Sequence, residues 1–273
     1  MIKLIATDLD NTILHNGYLV PGTKEAFTEA AKRGIEIVVA TGRSLVGITE
    51  EVRSIPAIRY AITCNGACIN EVETGVKLME YTLSKETVKT LVEIGHEFGA
   101  TYEIFVDGKG YVSREYYENP VLYGIPERLV GYIKFARIPV DDIDAFIYSN
   151  ASSIANFAYV VKDASMHVKV DSAVALRADK VFVTSSDEWW IEVMDAESGK
   201  GKGLKHLCDY LGLELSETAV FGDADNDLEL FEYAGTAYCM GNGTENAKRA
   251  SDYVVDTCEN GGVAKAIAEI LSG

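Results

Sequence analysis

Residues 3–12 read Lys3-Leu4-Ile5-Ala6-Thr7-Asp8-Leu9-Asp10-Asn11-Thr12, and this stretch decides the fold class. The apolar run that ends at Thr7 predicts a short strand. Two aspartates follow at once, where the end of an ordinary strand needs no charge. Taken alone, such a pair is equally typical of a turn or a helix cap, so its meaning depends on what else lies near it.

Two further predicted strands also end in polar residues. Ile35–Ala40 runs into Thr41-Gly42-Arg43, and Thr218–Phe221 runs into Gly222-Asp223-Ala224-Asp225-Asn226-Asp227. Segments with helical spacing separate the strands, which predicts βαβ units and a parallel sheet. Because ligands of an open parallel sheet bind beyond the carboxyl ends of its strands, we expect the three polar segments to meet in one place.

Four carboxylates would gather at that place, namely those of Asp8, Asp10, Asp223 and Asp227. Like charges about 4 Å apart repel by roughly 4 kcal/mol at an effective dielectric constant of about 20. Such a cluster persists by taking up protons or by binding a cation. All-oxygen ligands suit Mg²⁺, which commonly couples carboxylates to a phosphate. The sequence therefore predicts Mg²⁺ as a cofactor.

A glycine-rich stretch lies between these segments and reads Ser198-Gly199-Lys200-Gly201-Lys202-Gly203. Glycine lets the backbone approach a ligand closely, and a lysine supplies a point charge for phosphate. The same composition is equally typical of a flexible linker. Composition alone does not distinguish Lys200 from Lys202.

The middle of the chain has a different pattern. Ser84–Phe98 has helical spacing, with Ser84 well placed as its N-cap. Two pairs of short apolar segments then predict β-hairpins, Thr101–Val106 with Tyr111–Ser113 and Val181–Ser185 with Trp189–Val193. Hairpins imply antiparallel pairing, so this part of the chain is expected to form a sheet of its own.

The expected architecture is an α/β core with a doubly wound, Rossmann-like parallel sheet and an inserted α+β cap domain. We expect the core to comprise residues 1–81 and 188–273, and the cap to comprise residues 82–187. Within the core, the spacing also predicts helices over Leu45–Arg53 and Gly203–Leu211.

Composition excludes several classes of protein. The chain has 273 residues, of which 48% are hydrophobic, so it is no disordered segment. Its formal net charge of −17 disfavours nucleic acid and anionic membranes as partners. Met1–Ala6 is too short for a secretory leader, and we expect a cytoplasmic protein. The five cysteines match no common zinc pattern and are interpreted as buried thiols. The sequence carries no signal for an oligomeric state.

With these motifs the sequence resembles the haloacid dehalogenase superfamily, and within it the Cof-type sugar-phosphate phosphatases, which carry a large α+β (type IIB) cap. The likeness covers the whole chain. Besides the segments quoted above, two loops resemble those of the family, Cys64-Asn65-Gly66-Ala67 and Met240-Gly241-Asn242-Gly243. The resemblance implies a hydrolase that removes phosphate from small phosphorylated metabolites, with sugar phosphates as the expected class.

The resemblance also implies roles for single residues. Asp8 would attack phosphorus to give an aspartyl-phosphate, and Asp10 would protonate the leaving oxygen and then activate the hydrolytic water. Phosphate binding would fall to Thr41, Gly42, Lys200 and Asn226. Mg²⁺ would be held by Asp8, the backbone carbonyl of Asp10, Asp223 and Asp227. The resemblance favours Lys200 over Lys202, because Lys200 stands four residues before Leu204, as the motif requires.

The chain departs from the family pattern at three positions, and none of them removes a catalytic group. Asn11 stands where glycine is usual, and asparagine tolerates unusual backbone angles. Gly243 stands where alanine is more usual, and Asp225 adds an acidic side chain of open role beside the metal motif. Arg43 is equally compatible with substrate contact and with bracing its loop.

Two other functions fit the same motifs. A phosphomutase of this superfamily would form the same aspartyl-phosphate but return the phosphoryl group to a sugar. A non-catalytic protein that binds phosphorylated metabolites would keep the scaffold without turnover. The complete set of motif residues disfavours the non-catalytic protein. The motifs around Asp8 separate the phosphatase from the phosphomutase poorly, and the phosphatase is the leading hypothesis.

Overall fold

The structure is a computed structural model, and it describes residues 1–272. The first elements along the chain are β1 (Leu4–Thr7), β2 (Leu14–His15), β3 (Tyr18–Leu19), α1 (Thr23–Lys32), β4 (Glu36–Ala40), α2 (Glu50–Arg53), β5 (Ile58–Thr63), β6 (Cys68–Glu71) and β7 (Lys77–Glu80). The middle elements are α3 (Lys85–Phe98), β8 (Thr101–Val106), β9 (Lys109–Ser113), α4 (Arg114–Glu118), α5 (Glu127–Ala136), β10 (Arg137–Val140), α6 (Ile143–Ser149), β11 (Ile154–Val160), α7 (Ala164–Arg177), β12 (Val181–Thr184) and β13 (Trp190–Asp195). The last are α8 (Lys200–Leu211), β14 (Thr218–Gly222), α9 (Leu228–Tyr233), β15 (Thr236–Cys239), α10 (Glu245–Ala250), β16 (Tyr253–Val254) and α11 (Gly262–Ser272).

Eight strands form one sheet in the order β16-β15-β14-β1-β4-β5-β6-β7. The six strands from β16 to β5 run parallel, and β6 is antiparallel to β5. The strands are short apolar runs without polar alternation, as expected for strands covered on both faces. This arrangement confirms the predicted α/β class.

Alternate residues of the central strands face different packing partners. Leu4 and Ala6 of β1 belong to a buried cluster that also holds residues of α8 and α9, including Leu204 and Phe231. On the other side of the alternation, Ile5 is also fully buried, and α1 packs against β4 and α11. Burial on both sides holds the strand ends in fixed positions, which is what a precise site requires.

Two sequence-based helix predictions need correction. Leu45–Arg53 is a 3₁₀ turn over Leu45–Gly47 followed by the four-residue helix α2, so the predicted single helix is wrong. The helix predicted from Gly203 begins earlier, at Lys200. Its first turn is rich in glycine, which has low helix propensity, and the tertiary packing described below overrides that preference.

The chain divides into two compact units. The first contains residues 1–43, 48–79 and the chain from Gly199 onward, and the second contains Ser44–Gly47 and Glu80–Ser198. The expected cap boundary at residue 187 therefore lies short of the second unit's end. The reason is β13, which pairs with β11 and β12 and so belongs to the second unit's sheet.

The second unit has a six-stranded sheet in the order β10-β9-β8-β11-β13-β12. All neighbours are antiparallel except β9 and β10, and both predicted hairpins are present. Asp107 and Gly108 connect β8 to β9 with φ angles of 50° and 71°, as a two-residue hairpin loop requires. The predicted N-cap is also present, since the Ser84 side chain accepts a hydrogen bond from the Thr87 backbone N–H.

Two expectations from composition can be compared with the fold. The five cysteines are all free and buried, as predicted. Across the described residues 1–272, no helix combines the length and the apolar character needed to cross a bilayer.

Candidate active site

The predicted polar segments follow adjacent strands of the large sheet. β14, β1, β4 and β5 are neighbours, and Asp223, Asp8 and Thr41 come directly after the first three of them. The Asp8 backbone N–H donates to the Phe221 carbonyl oxygen at 2.9 Å, which ties the ends of β1 and β14 together. Aspartates far apart in the sequence are thereby brought to the same edge of the sheet.

Three buried carboxylates lie close together at this edge. Asp8, Asp223 and Asp227 each offer one oxygen atom, and these atoms all lie within 4.8 Å of one another. The Lys200 ammonium bridges two of them, with Nζ at 2.7 Å from Asp8 Oδ1 and 2.6 Å from Asp227 Oδ1. Lys200 is only 1% exposed, so the structure places this lysine of the glycine-rich stretch inside the cluster.

Burial and mutual repulsion perturb the titration of these groups. Burial raises the pKa of Asp8 to about 7, with Asp227 and Asp10 adding to the rise and Lys200 opposing it. Burial, followed by repulsion from Asp8 and Asp227, raises the pKa of Asp223 to about 8. The two carboxylates beside Lys200 outweigh its own burial and raise its pKa, so the ammonium stays charged.

The side chain of Asp227 organises the loop that carries Asp223. Its Oδ2 accepts hydrogen bonds from the Asp223 and Ala224 backbone N–H groups at 3.0 and 3.1 Å. A Cβ at Gly222 would lie 2.5 Å from the carboxyl carbon of Asp227, so the close approach depends on that glycine. With Oδ1 on Lys200, both oxygens of Asp227 are engaged within the protein.

The loop after β1 supplies a residue that sequence reasoning missed. The Thr12 hydroxyl donates to Asp223 Oδ1 at 3.0 Å, and this hydrogen bond opposes the rise in the pKa of Asp223. Asn11 has a φ angle of 57°, which agrees with the expectation that asparagine can replace glycine there. Thr12 belongs to the quoted motif, but nothing in the local sequence identifies its distant partner.

Asp10 and Arg43 form a bidentate ion pair. Arg43 Nε lies 2.8 Å from Asp10 Oδ2, and Nη2 lies 2.7 Å from Oδ1. The Arg43 side chain is 9% exposed, whereas that of Asp10 is 51% exposed. Arg43, whose role the sequence left open, therefore orients the carboxylate of Asp10, and that carboxylate remains accessible to solvent.

The remaining predicted phosphate-binding residues connect through Asn65, in the loop after β5. The Asn226 amide Nδ2 donates to Asn65 Oδ1 at 3.2 Å, and the Asn65 backbone N–H donates to the Thr41 carbonyl at 3.0 Å. A Cβ at Gly42 would lie 3.1 Å from both amide atoms of Asn65. The sequence indicated this loop only through its likeness to the family, without a role for Asn65.

Glycines allow Lys200, the first residue of α8, to reach the cluster. A Cβ at Gly66 would lie 1.9 Å from the Gly199 carbonyl oxygen, so the loop after β5 and the start of α8 touch backbone to backbone. The Gly201 N–H donates to Glu229 Oε2 at 3.1 Å, which satisfies part of the helix N-terminus. The sequence offered no signal for Glu229.

Asp225, whose role the sequence also left open, is turned toward α10. Its Oδ1 accepts from the Thr244 hydroxyl at 2.7 Å, and its Oδ2 accepts from Asn246 Nδ2 at 2.9 Å. Thr244 is itself the N-cap of α10. Asp225 therefore fastens the loop rather than joining the buried carboxylates.

The buried cluster fits a divalent cation. Its donor atoms are carboxylate oxygens, which hard cations such as Mg²⁺ prefer. Burial, together with repulsion between the carboxylates, raises the pKa values of Asp8 and Asp223 and favours their protonated forms. A cation of charge two would replace those protons and balance the carboxylates.

The fold and the site agree with the comparison to known protein families. The family model for haloacid dehalogenase-like hydrolases matches residues 5–267. The chain belongs to this family. The resemblance drawn from the motifs is thus confirmed, and enzymes of this superfamily generally use a divalent metal.

Individual relatives match over nearly the full chain. Phosphatase YwpJ of Bacillus subtilis is 28% identical, over 99% of this chain and 100% of the relative. The 5-amino-6-(5-phospho-D-ribitylamino)uracil phosphatase YwtE of the same organism is 26% identical, over 100% and 99%. A solved haloacid dehalogenase-like hydrolase from B. subtilis has 26% identity and a TM-score of 0.84, covering 98% of this chain and 99% of that structure. The chain is a phosphatase of the haloacid dehalogenase superfamily.

Proposed function

We propose that this phosphatase hydrolyses small phosphorylated metabolites, with sugar phosphates as the substrate class, through an aspartyl-phosphate on Asp8 and with Mg²⁺ as cofactor. The observation that carries the proposal is the buried Lys200 ammonium between Asp8 and Asp227. A buried lysine that holds a carboxylate at a strand end supplies the positive charge that phosphoryl transfer requires beside its nucleophile.

In the first half-reaction an Asp8 carboxylate oxygen forms a bond to phosphorus while the ester oxygen leaves with its electron pair. Asp10 donates a proton to that oxygen, so an alcohol is released. Arg43 holds both oxygens of Asp10, and a protonated Asp10 gives up one of these two hydrogen bonds. The half-exposed position of Asp10 suits this role, because the leaving group must be able to reach it.

In the second half-reaction water replaces Asp8 on phosphorus. Asp10, now ionised, takes a proton from the water as its oxygen attacks phosphorus, and the Asp8 carboxylate leaves. The products are inorganic phosphate and the free enzyme. Lys200 stays charged throughout, because the carboxylates beside it raise its pKa.

The proposed metal ligands are Asp8, the backbone carbonyl of Asp10 and Asp223, with Asp227 completing the acidic cluster. When bound, Mg²⁺ supplies positive charge that lets a carboxylate approach a phosphate dianion. Asp227 contributes by holding Lys200 and the loop of Asp223 in place. Thr41, Gly42, Lys200 and Asn226 are proposed to bind the phosphoryl oxygens.

The substrate class rests on the relatives and on charge. YwtE is named for a phosphate ester on a ribityl chain that carries a pyrimidine. A substrate of that kind, or a sugar phosphate, is small and anionic. The net charge of −17 is compatible with a small anion held at a local cationic site and disfavours a nucleic acid as substrate.

The test is phosphate release from a panel of sugar phosphates, nucleotides and 5-amino-6-(5-phospho-D-ribitylamino)uracil, with Mg²⁺ and then with EDTA. We expect metal-dependent release that is fastest with phosphorylated sugars or sugar alcohols. Asp8→Asn should abolish turnover and leave the fold intact. Asp225→Asn is the matched control, because that carboxylate bonds to Thr244 and Asn246 outside the cluster. Turnover by Asp8→Asn would contradict the mechanism.

A further inference from the structure

Asn65 has a buried hydrogen-bond donor that no residue of the protein satisfies. Its side chain is 1% exposed, and its Nδ2 atom has no hydrogen-bond partner within residues 1–272. Buried amide donors are hydrogen-bonded in almost all folded proteins. Burial removes the hydrogen bonds that the donor makes to water, and an unpaired donor gains no hydrogen bond in exchange. A donor left open in this way indicates a partner that is not part of the chain.

The surroundings of this amide indicate what the partner is. Its Oδ1 is occupied by Asn226 Nδ2, and the Asn65 backbone N–H is bonded to the Thr41 carbonyl. The carboxamide itself lies against Gly42, at 3.1 Å from where a Cβ would stand. Thr41, Gly42 and Asn226 are three of the four residues proposed above to bind phosphate. The open donor is therefore placed among the phosphate-binding residues.

The backbone that presents the amide is strained. Cys64, Asn65 and Gly66 have φ angles of 49°, 48° and 92°, three successive residues in the left-handed region. Residues other than glycine rarely adopt this region, and such strain is concentrated at functional sites. Strain and an unsatisfied donor at the same residue are independent signs that the loop after β5 serves a ligand.

We infer that the Asn65 side-chain Nδ2 donates a hydrogen bond to a phosphoryl oxygen of the substrate. This inference rests on the proposed function, since it adds a phosphate-binding residue to the same site. A phosphoryl oxygen is a charged acceptor, and hydrogen bonds to charged acceptors are stronger than those between neutral groups. The Asn226–Asn65 hydrogen bond fixes the orientation of the carboxamide, so that its N–H groups point away from Asn226.

Two variants distinguish the contribution of the Asn65 side chain from that of the loop backbone. Asn65→Asp keeps an oxygen for Asn226 and the tolerance for a left-handed backbone, but replaces the donor by an anionic acceptor. Asn65→Gly keeps the left-handed backbone without strain and removes the carboxamide altogether. Asn16→Asp is the matched control, because Asn16 is an exposed asparagine with a similar φ angle of 51° in the β2–β3 turn.

The measurements are KM and kcat for the best ester of the panel, the inhibition constant of inorganic phosphate and the thermal midpoint. We expect Asn65→Gly to raise KM and the phosphate inhibition constant by about 10-fold, as loss of one hydrogen bond to a charged group implies. Asn65→Asp should raise both by about 100-fold, because it adds repulsion. Asn16→Asp should leave both unchanged.

The outcomes are distinguishable from those of the proposed function. If the wild-type protein hydrolyses esters and both Asn65 variants match its KM and phosphate inhibition within about twofold, the inference is wrong and water or no ligand occupies the donor. If Asn65→Asp does not fold, Asn65→Gly decides the question, because it relieves backbone strain. Failure of the wild-type protein to hydrolyse any ester would instead refute the proposed function.

Discussion

Binding of Mg²⁺ should release protons from this protein at neutral pH. Burial and repulsion raise the pKa values of Asp8 and Asp223 to about 7 and about 8 in the metal-free protein. A metal ion binds the ionised carboxylates, so it must displace whatever protons they hold. The affinity for Mg²⁺ should therefore increase as the pH rises.

The magnitude follows from the two pKa values, taken as the two successive ionisations of the interacting pair. The pair holds about 1.7 protons at about pH 6.5 and about 0.3 at about pH 8.5. The doubly ionised fraction grows about 500-fold from about pH 6 to about pH 8, which corresponds to about 4 kcal/mol of binding free energy. In the absence of metal, the free energy of unfolding changes with pH in the opposite direction to the Mg²⁺ affinity. In the unfolded chain both carboxyls ionise near the ordinary aspartate pKa of about 3.9. In the folded protein their pKa values are raised to about 7 and about 8, so the free energy of unfolding falls as the pH rises from about 4 to about 8.

Isothermal titration calorimetry provides the assay. Titrations with MgCl₂ in two buffers that differ in ionisation enthalpy give the number of protons released per metal ion, at constant ionic strength and at each pH. Asp225→Asn serves as the control and should release the same number as the wild-type protein. Release of fewer than about 0.5 protons at pH 6.5, or an affinity independent of pH, would refute the reasoning.

Three substitutions, together with Gly34→Ala as a control for Gly66→Ala, test the packing that builds the site and the second unit. Lys200→Met leaves two buried carboxylates without their cation. The free energy of unfolding at pH 8, measured by urea denaturation, should therefore fall by about 3–5 kcal/mol. A loss below about 1 kcal/mol would contradict the bridging role of Lys200. Gly66→Ala places a Cβ 1.9 Å from a carbonyl oxygen and should cost more than about 3 kcal/mol. Gly34→Ala, with nothing within 4 Å, should lose only about 1 kcal/mol, and equal losses would exclude the clash. Arg137→Met removes the cation that lies 2.6 Å from the buried Glu103 carboxylate. The thermal midpoint of the second unit, measured by calorimetry, should therefore fall. An unchanged midpoint would show that the ion pair adds no stability.

The parallel core of the large sheet could be predicted because its central strands carry their own signals. Each central strand is a short β-branched run, and each is followed by a helical segment, so a parallel sheet was the consistent interpretation. The start of α8 could not be predicted in the same way. Three glycines near its beginning disfavour a helix. Close contacts of this turn with Ile62, Gly66 and Glu229 favour the helix there, and they are made only in the folded chain.

The C-terminal boundary of the second unit could not be predicted for a related reason. The predicted hairpin pairs Trp189–Val193 with Val181–Ser185, but the expected boundary at residue 187 divides this hairpin between the two domains. The neighbour of β13 in the sheet, β11, was not predicted, although all seven of its residues are buried. Pairing of β13 with β11 therefore became visible only in the structure.

The residues of the candidate site also differ in whether the sequence alone could identify them. Asp8, Asp10, Asp223 and Asp227 could be found because they follow predicted strands of one parallel sheet, whose carboxyl ends meet at the same edge. The contacts of Thr12 and Arg43 could not, because each joins residues whose proximity depends on the folded chain. The open donor of Asn65 is likewise a property of packing and has no counterpart in the sequence.

The central claim is that Asp8 becomes phosphorylated. The most direct measurement is peptide mass spectrometry after acid quenching within milliseconds of mixing Asp10→Asn protein, Mg²⁺ and an ester with a good leaving group. Loss of the Asp10 base should slow the second half-reaction, so the peptide that contains Asp8 should gain one phosphoryl group and lose it in hydroxylamine. Turnover with no phosphorylated peptide, or a phosphoryl group on any residue other than Asp8, would contradict the account.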